Sequence, residues 1–151
     1  MTGAAIDLAP ARPPRLRRVR TVAGWLHLGF AGLIVTGVFV QVYLIGAYIF
    51  GAGERALDLH KSLGYTVHGF EVVLFVIALV AWLPRTDLLL SLLVAVVGTA
   101  QIMLAESTGW MGGLHPLGAL VVLTLAALMA QRGLRRQRMG GLRAVTTRGS
   151  A

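Results

Sequence analysis

The chain has 151 residues, of which 56% are hydrophobic and 13% are charged, and its formal net charge at pH 7 is +8. This composition argues against a soluble globular domain, because four apolar windows of about 20 residues are each long enough to cross a bilayer. The chain contains no cysteine, which excludes disulfides, iron–sulfur clusters and covalently attached c-type haem. No hydrolase, nucleotide-binding or zinc-protease motif is present, so the sequence favours a role other than that of a stand-alone enzyme.

Four apolar segments follow one another along the chain, roughly at 22–48, 60–82, 88–105 and 114–130. Each predicts a transmembrane helix, because a backbone in hydrocarbon must pair its polar groups within the segment. The connections at 51–58, 84–87 and 107–113 are short, which favours antiparallel neighbours. We therefore expect an all-α, up-down-up-down four-helix bundle at 21–132, flanked by basic tails at 1–20 and 133–151.

The positive charges lie mostly on one side of this four-span arrangement. Twelve of the 14 Lys and Arg residues lie on the side of the termini and Arg85, whereas Arg55 and Lys61 lie on the other side. This asymmetry predicts a multi-pass protein of the bacterial inner membrane with both termini in the cytoplasm. The tails are expected to be extended or disordered and to touch anionic lipid headgroups. They lack interleaved aromatic residues and any known module, so nucleic acid is not an expected partner.

A short pattern occurs twice: a Gln late in one span, a Leu-His pair that opens the next, and a Gly on the face of that His. The two copies consist of Gln41, His60 and Gly64, and of Gln101, His115 and Gly118. This repetition predicts a duplicated helical hairpin whose copies are related by an axis along the membrane normal. Equivalent residues then lie at equal depth, so His60 and His115 should lie together at the outer membrane face.

Two imidazoles that face each other across a bundle are the ligand set of a bis-His haem b. We therefore predict that His60 and His115 ligate the haem iron, and that Gly64 and Gly118 leave room for the porphyrin. The alternative is that the histidines cap helix starts at the interface and that the glycines are ordinary packing residues.

Three further residues complete this predicted haem site. Gln41 and Gln101 are expected to hydrogen-bond a propionate or the second ring nitrogen of a ligand. Lys61 is expected to pair with the anionic propionates, which two converging helix N-termini also favour.

The second span carries another polar pattern. His60, Gly64, His68 and Glu71 fall within about 80° of one another on a helical wheel. An ionised carboxylate deep in a membrane has an unfavourable free energy of solvation, so Glu71 is a candidate functional residue. Its predicted partners are His68 on the same helix and His27 in the first span. These three residues are expected to form a buried hydrogen-bonded core, a proton-conducting element or, as a weaker alternative, a metal site.

The Gln residues together with Leu-His-Lys-Ser-Leu-Gly at 59–64 and Leu-His-Pro at 114–116 resemble a family of small four-helix actinobacterial membrane proteins with no assigned function. The resemblance covers roughly 20–132 and singles out Gln41, His60, Gln101 and His115. The bundle is also distantly similar to the cores of membrane b-type cytochromes. Those cores usually carry two stacked haems, whereas this sequence supplies one symmetric pair of histidines.

Three functions are compatible with these patterns. The first is a single-haem b-type cytochrome, or the haem-bearing subunit of an assembly that transfers electrons. The second is a cofactor-free membrane subunit that binds a respiratory or transport partner, and homo-oligomerisation is open as well. The third is a small proton- or ion-conducting element that uses His68 and Glu71.

Overall fold

The structure, a computed structural model, describes residues 14–148 and contains only helices in that range. The predicted all-α fold is thereby confirmed. Residues 1–13 and 149–151, to which part of the tail prediction applies, lie outside the described residues. The helices are α1 (Pro14–Ile49), α2 (Glu54–Val80), α3 (Arg85–Ala105), the single-turn α4 (Gly109–Gly112) and α5 (Leu114–Arg148).

Four stretches of helix are long and apolar enough to cross a membrane: Arg15–Ile49, Glu54–Val80, Arg85–Ala105 and Gly109–Met139. This confirms the four predicted spans, and the chain is an integral, multi-pass membrane protein. Large apolar side chains such as Phe39 and Leu89 point outward and are more than half exposed. Such an apolar surface is stable when lipid rather than water surrounds it.

The helices extend beyond the apolar windows. α1 begins at Pro14 and α5 continues to Arg148, so the expectation of extended or disordered tails is wrong at 14–20 and 133–148. Arginine is a good helix former, and a membrane boundary does not end a helix. The connection after α1 is shorter than the predicted loop at 51–58, since α2 already begins at Glu54. Gly51 and Gly53 have φ angles of 91° and 84°, a conformation that glycine adopts without strain, so four residues suffice to reverse the chain.

The four long helices pack in a ring, in which α1 contacts α2, α2 contacts α3, α3 contacts α5 and α5 contacts α1. Near the start of α1, Arg20 donates to the carbonyl of Trp82 beyond the end of α2 at 3.0 Å. Near the end of α1, Gln41 contacts His60 at the start of α2. α1 and α2 therefore run antiparallel, whereas the full up-down-up-down order and the origin by duplication stay predictions.

An apolar core fills the middle of the ring and contains at least one residue from each long helix. Its fully buried members include Ile34, Leu74, Val94 and Met129. The helices approach closely at Gly37, where a Cβ atom would lie 2.5 Å from Cγ2 of Val67. The core separates a polar cluster around His60 and His115 from a second one at the opposite end of the bundle.

Candidate functional site

The structure brings the two matched histidines together. His60 lies near the start of α2 and His115 in the first turn of α5, with ring centroids 6.3 Å apart and ring planes at 74°. An imidazole nitrogen ligates a metal at about 2 Å, and the ring centroid lies about 1 Å further back, so two trans imidazoles have centroids about 6 Å apart. The observed centroid separation matches that distance, and the two ring planes meet in an edge-to-face arrangement.

The repeated glutamines hold these imidazoles through their main chain. His60 Nδ1 lies 3.0 Å from the carbonyl oxygen of Gln41, and His115 Nδ1 lies 3.1 Å from that of Gln101. A carbonyl oxygen only accepts, so each contact is a hydrogen bond in the tautomer that carries its proton on Nδ1, and Nε2 keeps its lone pair in that tautomer. Metal-ligating histidines are typically oriented in this way. Side-chain amides were predicted for this role, but the main-chain carbonyls are the atoms common to both copies.

The glutamine side chains pack against the repeated glycines. The Gln41 amide oxygen accepts the Gly64 N–H at 2.7 Å, and its nitrogen lies 3.2 Å from the His60 carbonyl oxygen and 2.7 Å from His60 Nδ1. A Cβ atom at Gly64 would lie 3.0 Å from the Gln41 amide, and one at Gly118 would lie 3.0 Å from Gln101 Oε1. The space beside each glycine therefore holds a glutamine amide, and the expectation that these glycines leave room for a porphyrin stays a prediction.

Two cavities meet at the histidine pair, and both are lined by His60 and His115. The inner cavity, of about 240 Å³, has mainly apolar walls from all four long helices and extends to Glu71. The outer cavity, of about 330 Å³, lies mainly between α2 and α3 and includes Lys61 and Glu106. The imidazoles therefore lie at the boundary between the apolar inner cavity, called the chamber below, and the outer cavity, which contains charged side chains.

Glu71 and His68 lie at the inner end of the apolar chamber, together on one face of α2 as the polar stripe predicts. The Glu71 residue is 3% exposed, and its Oε2 atom lies 3.0 Å from His68 Nδ1. Its carboxyl group packs against α3 at Gly98, where any side chain would collide with it. The carboxyl group therefore lies between two helices and faces the bundle interior.

His27 does not join His68 and Glu71. It is fully buried, and its Nε2 atom lies 2.9 Å from Oγ of Ser91 on α3. Within the described part of the chain, no three His, Asp or Glu side chains form a group that could hold a metal ion. The predicted contact between His27 and Glu71 is therefore wrong, and the metal site proposed for these three residues has no support.

A buried ion-pair cluster at the opposite end of the bundle was not predicted. Asp87 is 1% exposed; its Oδ1 atom accepts from Arg132 Nε at 2.6 Å, and its Oδ2 atom accepts from Arg136. The sequence alone places Asp87 in the connection at 84–87 and the arginines at the basic end of the chain. Two signals point to the cluster: Asp87 occupies the place in the second copy that His27 has in the first, and the arginines are spaced i, i+4 on one helix face.

Comparison with known proteins identifies similarity to one family. A family model described as a family of unknown function (DUF6220) matches residues 41–109. The matched segment contains Gln41, His60 and Gln101 and ends before His115. This match and the four helices confirm the expected resemblance to a small four-helix family without an assigned function. No curated protein and no solved structure matches the chain significantly, and the likeness to b-type cytochromes stays a prediction.

Proposed function

We propose that this protein binds one haem b between His60 and His115 and acts in electron transfer, as a single-haem cytochrome or as the haem-bearing subunit of a larger assembly. The observation that carries the proposal is the pair of imidazoles 6.3 Å apart, each with Nδ1 on a main-chain carbonyl. A bound haem supplies reversible one-electron chemistry at its iron.

The two cavities suit the two ends of a haem molecule. The inner chamber, with apolar walls that include Val38, Ile45 and Leu120, suits the apolar edge of the ring. The outer cavity, which includes Lys61, suits the anionic propionates. Ligand sites of this kind combine mostly apolar walls with a few placed polar groups.

The protein's own residues perform three tasks in this proposal. The main chains of Gln41 and Gln101 orient the two ligands, and the Gln41 side chain supports that geometry through Gly64. The apolar walls exclude water from the iron. Among the described residues, α2 and α5 make no direct backbone contact across the ring, so ligation by both histidines would add a link between diagonal helices.

The placement in the membrane belongs to the same proposal. The distribution of Lys and Arg supports a bacterial inner membrane with both termini in the cytoplasm, which locates the histidine pair at the outer face. A single haem at one face does not by itself connect the two sides of the membrane. We therefore expect a second redox protein or a lipid-soluble electron carrier as a partner at the outer half.

A cofactor-free subunit that binds a respiratory or transport partner is the second candidate. The observation that favours it is the edge-to-face contact between the rings of His60 and His115. Edge-to-face packing is a stable arrangement of two aromatic rings, and both Nδ1 atoms have partners in the absence of any ligand.

Absorbance spectra of the detergent-purified protein, expressed with a haem supply and recorded oxidised and reduced, distinguish the two candidates. We expect the spectrum of a low-spin, six-coordinate haem. Both His60→Ala and His115→Ala should remove it or convert it to a five-coordinate form, and to a similar extent, because the two residues hold corresponding positions in the proposed repeat. His27→Ala and His68→Ala are the controls and should keep the six-coordinate spectrum. A protein that never binds haem supports the second candidate, and haem that survives loss of both ligands contradicts the assignment.

A further inference from the structure

The proposed ligation of haem makes no use of Glu71 and His68, although both line the same chamber. Glu71 is almost completely buried, whereas the His68 side chain is 25% exposed. An ionisable group at this depth in a membrane protein is costly, and such groups usually mark sites of proton or ion movement. The pair is therefore a candidate for a role beyond packing.

Few other titratable groups surround Glu71. His68 on its own helix is its hydrogen-bond partner, and His60 lies further along the same cavity wall. α5 contributes His115, whereas the parts of α1 and α3 that line this chamber contribute amides, glycine and apolar side chains and no titratable group. The charge of the Glu71–His68 pair is therefore not fixed by an arginine or lysine in the chamber, and it is free to change.

We propose that the Glu71–His68 pair takes up a proton from the aqueous phase when the haem site accepts an electron, so that this protein couples electron transfer to proton uptake. The inference rests on the proposed function. Reduction of ferric to ferrous haem by a one-electron donor adds one negative charge to the chamber. In the oxidised state Glu71 is an ionised carboxylate; when this carboxylate binds a proton from water, one O–H bond forms and the added negative charge is cancelled. Oxidation releases the electron to the acceptor and the proton to water.

The size of the coupling between haem reduction and protonation of Glu71 is estimated from the distance between His60 and Glu71. Glu71 lies eleven residues after His60 on one helix, or about 16 Å along the axis at about 1.5 Å per residue. At an effective dielectric constant of about 20, one unit charge at that distance changes an equilibrium constant about fivefold. For a one-electron couple, a fivefold change corresponds to about 40 mV, since a tenfold change corresponds to about 59 mV.

The test is a spectroelectrochemical titration of the purified haem protein from about pH 5 to about pH 9, a range that covers the titration of buried carboxyl groups. We expect the midpoint potential to fall by about 40 mV in total as the pH rises. Glu71→Gln should keep the low-spin spectrum and abolish the fall. Glu54→Gln, which removes an exposed carboxylate at the start of α2, is the matched control and should retain it.

If the midpoint potential of Glu71→Gln still falls with pH as in the wild type, the inference is overturned. The proton taken up on reduction would then bind another group, such as a haem propionate. A wild-type potential that does not vary with pH would overturn it as well. If Glu71→Gln fails to fold, the reduced-minus-oxidised infrared difference spectrum of the wild type decides: a carboxyl band that shifts in D₂O is expected, and its absence overturns the inference. A protein without any haem spectrum overturns the proposed function too, whereas a normal low-spin spectrum with a constant potential refutes the proton coupling alone.

Discussion

Replacing Asp87 with Asn should destabilise the bundle markedly. The carboxylate is 1% exposed and accepts hydrogen bonds from Arg132 and Arg136 on α5. It also lies in the first turn of α3, where the positive end of the helix dipole favours a negative charge. The substitution keeps the shape of the side chain but leaves two arginines without a counter-charge. Asn has one acceptor oxygen in place of the two carboxylate oxygens, so one of the two arginine hydrogen bonds is lost.

The magnitude follows from the burial of the three groups. A hydrogen bond to a charged group contributes about 1.5–3 kcal/mol, and breaking a fully buried ion pair costs about 3–5 kcal/mol. The side chains of Arg132 and Arg136 are 39% and 28% exposed, so both can turn toward water or lipid headgroups after the substitution. We therefore expect a loss of about 2–3 kcal/mol in the free energy of unfolding, below the cost for a fully buried pair.

This loss is measurable by titration with SDS in mixed micelles, with helical circular dichroism as the signal. Asp58→Asn removes an exposed carboxylate from α2 and serves as the matched control, with an expected change within about 0.5 kcal/mol. Adding Arg132→Gln to Asp87→Asn should cost less than the sum of the single changes, because the two groups interact. An Asp87→Asn protein as stable as the control would refute the view that this cluster holds α3 to α5.

Two further predictions concern the polar interior and the topology. Glu71→Gln should be tolerated, because an amide keeps a hydrogen-bonding group beside His68, whereas Glu71→Leu should lower the free energy of unfolding by about 1–3 kcal/mol; an equally stable Leu variant in the same SDS titration would contradict a polar role for this position. Reporter fusions at Ala151 and in the loop at 50–53 should report opposite sides of the membrane, with Ala151 in the cytoplasm; a periplasmic Ala151 would place the histidine pair at the wrong face.

The sequence predicted the histidine pair because two independent constraints agree. The lengths of the apolar segments set the depth of each helix, and the repeated order of Gln, Leu-His and Gly indicates which residues correspond. These constraints do not depend on side-chain packing, so they place His60 and His115 without knowledge of helix rotation. The contacts of their Nδ1 atoms were less predictable, since every residue has a main-chain carbonyl and only the geometry selects those of Gln41 and Gln101.

The partners of His27 and Asp87 could not be derived in the same way. The contact between His27 and Ser91 joins residues 64 positions apart, and it depends on how α1 and α3 are rotated about their axes. Asp87 and Arg132 are 45 positions apart. A carboxylate at a helix start and an arginine near the end of an apolar segment both resemble solvated charges when they are considered separately. Only the close packing of the helices shows that one neutralises the other.

Ligation of one haem iron by both His60 and His115 is tested most directly by low-temperature EPR spectroscopy of the ferric protein. The imidazole planes lie at 74° to each other, and two nearly perpendicular axial imidazoles give a strongly anisotropic low-spin signal with one dominant low-field g value. We expect this signal in the wild type and its loss in the His60→Ala/His115→Ala double variant. A high-spin ferric signal in the wild type, or an unchanged low-spin signal in the double variant, would contradict ligation by this pair.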